Sequence, residues 1–200
     1  MKRTFNLADL FEMVAASVPD RIAFMCGDKR LSFRELDENA NRVASALQKR
    51  GIQRGDNVGI ELFNSAEYLE AFLACCKIGA APANVNYRYV ADELHQLLDS
   101  LQLKALFYDA SVAQEVQKVA SKLSHMKLCI QTGDAQLGVT GAVHYDDLLT
   151  SGSATLNDPG RNDKDLYLLC TGGTTGLPKG VVWPHKSLFM GALGGGGIYF

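Results

Sequence analysis

A chain of 200 residues with 47% apolar side chains and a formal net charge of −2 can bury a substantial core as one domain or one large lobe. It carries no basic block or Arg/Lys stripe, which argues against nucleic acid or an acidic membrane surface and leaves small molecules as the expected partners. Asp9 and Glu12 interrupt the stretch after Met1-Lys2-Arg3 that a secretion signal would keep apolar. The longest apolar runs, such as Ala71 to Cys76, fall far short of the ~20 residues that span a bilayer. The five cysteines (Cys26, Cys75, Cys76, Cys129, Cys170) are odd in number and show neither C-x-x-C nor a ligand spacing with histidine. A reduced, cytoplasmic protein without a metal site is expected, with Cys75 and Cys76 packed as small apolar residues in a helix.

In chain order, Leu7, Leu10, Phe11, Val14 and Ala15 fall at helical spacing behind Asn6 as a cap, and Pro19 stops the pattern. This predicts a surface helix docked by one face. Ile22 to Cys26 and Lys29 to Ser32 flank Gly27-Asp28, a loop suited to a tight hairpin. Ser32 and Glu35 then form a capping box for a helix with Leu36, Ala40, Val43 and Leu47 inward, which Gly51 ends. Strands are expected at Val58 to Phe63, Ala80 to Val85, Ala105 to Tyr108 and Lys127 to Gln131. Helices are expected at Ala66 to Ile78 (Leu69, Phe72, Leu73 and Cys76 inward), Asp92 to Leu101 and Val112 to Leu123, and Asp146-Asp147 reads as a solvated helix start. Strand and helix in alternation imply an α/β fold, a mostly parallel sheet covered by helices on both faces. Ligands of such sheets lie beyond the strand ends. Thr150 to Lys164 reads as a connecting loop before a strand at Leu166 to Cys170, and Gly191 to Gly197 is an unusual glycine-rich end.

The chemistry concentrates at Thr171-Gly172-Gly173-Thr174-Thr175-Gly176-Leu177-Pro178-Lys179-Gly180. Glycines without Cβ let main-chain N–H groups approach an anion, threonine hydroxyls add donors, and Lys179 supplies a compact cation on a flexible stem. A Walker loop does not fit: counting from Gly173, Pro178 holds the second glycine position and Gly180 stands where Ser or Thr should bind magnesium. A plain surface turn is the alternative, and the density of hydroxyls and glycines between apolar runs speaks against it. Of the histidines, His95, His125 and His144 read as surface or core residues, and His185 as a support for the loop. Asn86 and Arg88 read as packing residues.

These residues resemble the adenylate-forming superfamily of acyl-CoA and aryl-CoA synthetases, luciferases and peptide-synthetase adenylation domains. The match runs from Thr171 through Gly180-Val181 to His185; Cys170 replaces the usual aromatic residue, and Gly172 the commoner serine. Weaker likenesses fall in order at Leu31 to Leu36, Gly55 to Val58, Asn64-Ser65, Lys77 to Ala80 and Asn84 to Arg88. The resemblance implies activation of a carboxylic acid by ATP through an acyl-adenylate, then transfer to coenzyme A. It implies that Thr171, Gly172, Gly173, Thr174, Thr175, Gly176 and Lys179 bind the nucleotide, with Lys179 catalytic and Mg²⁺ on the phosphates. Fatty-acyl-CoA synthetases are the nearest type; an aryl-CoA ligase, an amino-acid adenylation domain or a non-catalytic nucleotide-binding fragment are the alternatives. It further implies that residues 1–200 are the amino-terminal part of an AMP-binding domain, with the downstream half and the C-terminal domain lying elsewhere. Such a piece alone is expected to be inactive and to expose Leu188, Phe189, Leu193, Ile198 and Phe200. A homodimer stays open.

Overall fold

The computed structural model describes residues 4–133, 136–156, 160–171 and 179–194. Asn6 caps the first helix, its side-chain oxygen accepting from the Ala8 amide at 2.8 Å, and α1 runs Leu7–Ser17, ending before Pro19. Strands β1 (Ile22–Cys26) and β2 (Lys29–Ser32) form a separate antiparallel hairpin with Cys26 opposite Lys29. Gly27 takes φ +55° in the turn, a conformation that glycine adopts without Cβ strain. The Ser32–Glu35 capping box is present at the start of α2 (Phe33–Lys49).

The main sheet is built from β3 (Asn57–Glu61), β4 (Ala81–Asn84), β5 (Ala105–Asp109), β6 (Leu128–Thr132), β7 (Val143–His144), β8 (Leu166–Thr171) and β9 (Lys179–Pro184). Their order across the sheet is β7-β6-β5-β3-β4-β8-β9. Every neighbouring pair is parallel except β8 and β9. The connecting helices are α3 (Ala66–Ile78), α4 (Ala91–Ser100), α5 (Ala113–Ala120), α6 (Tyr145–Ser151) and, after β9, α7 (His185–Ala192). The α/β class with a mostly parallel, helix-covered sheet is therefore the observed one.

Two apolar layers hold it together. On one face Val58, Ile60, Phe107 and Ile130 meet Val43 and Leu47 of α2, Ala71 and Ala74 of α3 and Leu148 of α6. On the other, Ala83, Leu106, Cys129 and Leu168 meet Leu94, Leu97 and Leu98 of α4 and Val116 and Val119 of α5. Strands buried on both faces read as apolar runs, which is why they were recognisable.

The departures from the expected pattern have local causes. Val14, expected inward, is 45% exposed, because α1 turns its polar side to the protein: Asp9 and Glu12 accept from the buried Arg161, both at 3.0 Å. Lys77 on α3 is fully buried between Glu12 (2.5 Å) and Asp37 (2.8 Å), so α3 is enclosed on nearly all sides, and Leu69 and Phe72 are only partly buried. The helix expected from Val112 to Leu123 begins with a 3₁₀ turn at Ala110–Val112 and stops at Ala120. Phe63 lies beyond β3 and is 43% exposed.

Cys75 and Cys76 are fully buried free thiols in α3, and burial pushes both up. Leu188 packs beside Leu7 and Cys76, and Phe189 stacks on Phe5 with ring centroids 5.7 Å apart, so of the described side chains expected at an open edge, Leu193 is the exposed one at 59%. Ile198 and Phe200 lie outside the described residues, as do Gly195 to Gly197 of the glycine run. No helix among the described residues is long and apolar enough to cross a membrane.

Candidate active site

β8 runs parallel to β4, and β4 to β3, so Thr171 emerges at the edge of the sheet where the parallel strands have their carboxyl ends. This is where ligands of open α/β sheets bind. β9 returns antiparallel, with Thr171 opposite Lys179 and Cys170 opposite Gly180. The two ends of the glycine- and threonine-rich segment are thereby fixed side by side. The Thr171 hydroxyl donates to the Lys179 carbonyl at 3.5 Å, and both residues are exposed. Gly172, Gly173, Thr174, Thr175, Gly176, Leu177 and Pro178 lie outside the described residues.

Below the loop, β9 approaches α4 closely: a Cβ on Gly180 would stand 2.8 Å from a Leu101 methyl, so any larger residue would force that side chain aside. Cys170 is a buried thiol that burial pushes up to about 11. It is a packing residue at neutral pH.

Asn84 was legible only as part of a family-like segment, yet it reaches the loop's first anchor. Its side-chain oxygen accepts from the Cys170 amide at 2.7 Å, and its nitrogen donates to the Cys170 carbonyl at 3.3 Å. The signal available in sequence was a polar amide next to the end of the apolar strand expected at Ala80 to Val85. A cleft of about 250 Å³ opens beside this junction, lined by Asn64, Tyr68, Asn84, Asn86, Tyr87 and Tyr89 among others. Asn86 caps its own turn, accepting from the Arg88 amide at 3.0 Å, and the Arg88 guanidinium lies 5.6 Å from the Tyr87 ring centre, so both have local packing roles.

His185 lies at the opposite end of the β8–β9 hairpin from Lys179, its amide donating to the Asp165 carbonyl at 2.8 Å. It is fully buried. Its Nδ1 accepts from the Leu7 amide at 3.3 Å, which leaves the proton of the neutral ring on Nε2, 3.9 Å from Cys76 Sγ. Burial lowers its pKa against the pull of Asp165. It fastens α7 to α1 and α3, at the end of the β8–β9 hairpin away from Lys179. His95, His125 and His144 show no common site, and no group of three metal-ligating side chains exists among the described residues.

The AMP-binding enzyme family matches residues 11–197. The chain belongs to this family. Over 198 residues it is 37% identical to a medium/long-chain-fatty-acid–CoA/3-oxocholest-4-en-26-oate–CoA ligase of Mycobacterium tuberculosis, a match that covers 98% of this chain and 36% of that protein. It is also 31% identical to tyrocidine synthase 1 of Brevibacillus parabrevis, over 92% of this chain and 15% of that one. Among solved structures, the anthranilate CoA ligase AuaEII in complex with anthranoyl-AMP superposes with a TM-score of 0.86 at 24% identity, over 93% of this chain and 36% of that one. That likeness shows the fold. The chain spans about 36% of the length of the fatty-acid–CoA ligase it matches.

Proposed function

We propose that the protein activates a carboxylic acid with ATP, the carboxylate attacking the α-phosphorus and expelling pyrophosphate, and then passes the acyl group to coenzyme A. The reading is carried by one observation: Thr171 and Lys179 face each other across the β8–β9 ladder at the carboxyl edge of the sheet, closing the ends of a segment in which five of seven residues are glycine or threonine. A carboxylate is already ionised at neutral pH and needs no base. The protein must instead hold the nucleotide and offset charge on the departing pyrophosphate.

Lys179 suits the second task, since no ion pair occupies its ammonium among the described residues. Thr171, Thr174 and Thr175 would donate to phosphate oxygens, while Gly172, Gly173 and Gly176 admit main-chain N–H groups. Mg²⁺ would sit on the phosphates and supply further charge neutralisation there.

The name of the fatty-acid–CoA ligase relative favours a fatty or similarly apolar acid; that residues 1–200 are the amino-terminal part of the AMP-binding domain and that the protein acts in the cytoplasm belong to the same proposal. The test is carboxylate-dependent exchange of labelled pyrophosphate into ATP by the protein at its full natural length, across fatty, aryl and amino acids. Exchange with medium- or long-chain fatty acids is expected. Exchange only with amino acids or aryl acids would move the substrate class, and none with any acid would overturn the activity.

A further inference from the structure

The β4–β8 ladder has one main-chain rung, Ala83 opposite Leu168. After Asn84 the chain stays with β3 instead, the Val85 amide donating to the Ile60 carbonyl at 2.9 Å. β8 runs on to Thr171 with β9 along one side only. On its other side, the N–H and C=O of Cys170 meet the Asn84 side chain, at 2.7 and 3.3 Å. A donor and an acceptor in one plane reproduce the next rung of a parallel ladder, and only one orientation of the amide satisfies both partners.

We propose that Asn84 is a positioning residue for nucleotide chemistry, setting the peptide plane at Cys170 and so the direction in which Thr171 and the phosphate loop leave the sheet. This rests on the reading of that loop as the ATP site. Cys170 is buried, so its main-chain groups would otherwise stand without a partner, and the strand end would turn to find one. Thr171 is the next residue and Gly172 begins the loop. A displacement of about 1 Å in such a support costs on the order of 10²-fold in rate.

Aspartate discriminates a clamp from a mere space-filler, because it has nearly the same shape and can still accept from the Cys170 amide but turns an acceptor against the Cys170 carbonyl. Asn84→Asp and Asn84→Ala are compared with wild type in the protein at its full natural length. The measurements are single-turnover adenylate formation, KM for ATP and for the acid, hydrogen exchange of the Cys170 amide and thermal unfolding.

The expected result is a fall of roughly 10- to 100-fold in adenylate formation for both variants, a raised KM for ATP and an unchanged KM for the acid. Cys170 exchange should quicken in Asn84→Ala. If Asn84→Ala does not fold, Asn84→Asp decides alone. Rates for both variants within about twofold of wild type, against the expected range, overturn the proposal. So does a loss spread equally over ATP and acid in step with a lowered melting temperature. A wild type that adenylates nothing sinks the proposed function instead, and the clamp then stands or falls on Cys170 exchange in Asn84→Ala against wild type.

Discussion

Lys179 opens β9 with its side chain in solvent and no ion pair among the described residues, so its charge is available to a ligand. Lys179→Ala is therefore expected to slow adenylate formation by ~10²–10³ while leaving acid binding unchanged, and Lys179→Arg to restore only part of the rate, because a planar fork does not replace a compact ammonium. Single-turnover kinetics at saturating ATP and acid check this; an alanine rate close to wild type would make the lysine structural. Glu61 is a different kind of residue. It ends β3 fully buried, neither carboxyl oxygen having a hydrogen-bond partner among the described residues, and burial, with Glu115 adding repulsion, pushes it up to about 8. By contrast Glu70, also buried, accepts from Asn39 and Tyr145. A carboxyl whose folded pKa is raised carries no penalty at acid pH, an increasing one between its unfolded value and about 8, and the full one above. Each tenfold change in proton activity across that window is worth about 1.4 kcal/mol. Glu61→Gln should leave the melting temperature nearly unchanged at pH 4.5 and raise it increasingly toward pH 9, by amounts corresponding to a few kcal/mol. A pH-independent difference between the two proteins would refute the buried acid.

At the scale of elements, α1 is held by charge as much as by apolar contact. Burial pushes Glu12 up, yet Arg161 and Lys77 pull it further the other way, and it stands below its ordinary value. The stabilisation from a depressed carboxyl is present above its unfolded pKa and lost as pH falls through the folded one. The α1 amides should therefore lose protection relative to those of α2 as pH drops from 5 to 3, measured by hydrogen exchange with α2 as internal reference. The α2 cap offers a simpler case: Ser32 Oγ accepts from the Glu35 amide at 3.2 Å, and Ser32→Ala should cost about 1 kcal/mol, or about 2–4 °C in melting temperature. These two helices also mark what the sequence makes legible. Asn6, Ser32 and Glu35 act within a turn of where they stand, so local spacing reveals them. The expected bounds of α3, Ala66 to Ile78, agree with the observed helix for the same reason, with Ser65 capping it and Gly79 ending it in the left-handed region. Arg161 and Lys77 meet their partners 149 and 65 residues away, and no periodicity carries that. The two-residue β7 and the Glu61 burial were equally hidden, the first for want of length and the second because one acid inside an apolar run does not alter its pattern. The segment of the candidate site was evident from residue types alone, whereas its clamp at Asn84 needed the fold to bring two strands together.

At the scale of the whole molecule, the seven-stranded sheet has its two faces covered and its ends unequal. At the β8–β9 end, Leu166 on β8 and Val181 and Val182 on the edge strand β9 are 37%, 43% and 56% exposed, apolar side chains at an unpaired sheet edge that favour association. Val182→Lys should lower hydrophobic-dye binding and raise solubility of this 200-residue chain without lowering its melting temperature, as read by dye fluorescence and light scattering; unchanged dye binding would place the sticky surface elsewhere. The single rung between β4 and β8 has a consequence of its own for variation. Main-chain rungs are indifferent to which side chain stands at them, so most of this sheet tolerates exchange of one residue for another without coming apart along its ladders. Between β4 and the end of β8 the rung is a side chain, and its hold is therefore heritable. Because aspartate and asparagine codons differ at one base, a single nucleotide change could loosen the end of β8 from β4 at the point where the loop departs, leaving the Ala83–Leu168 rung and both apolar layers in place.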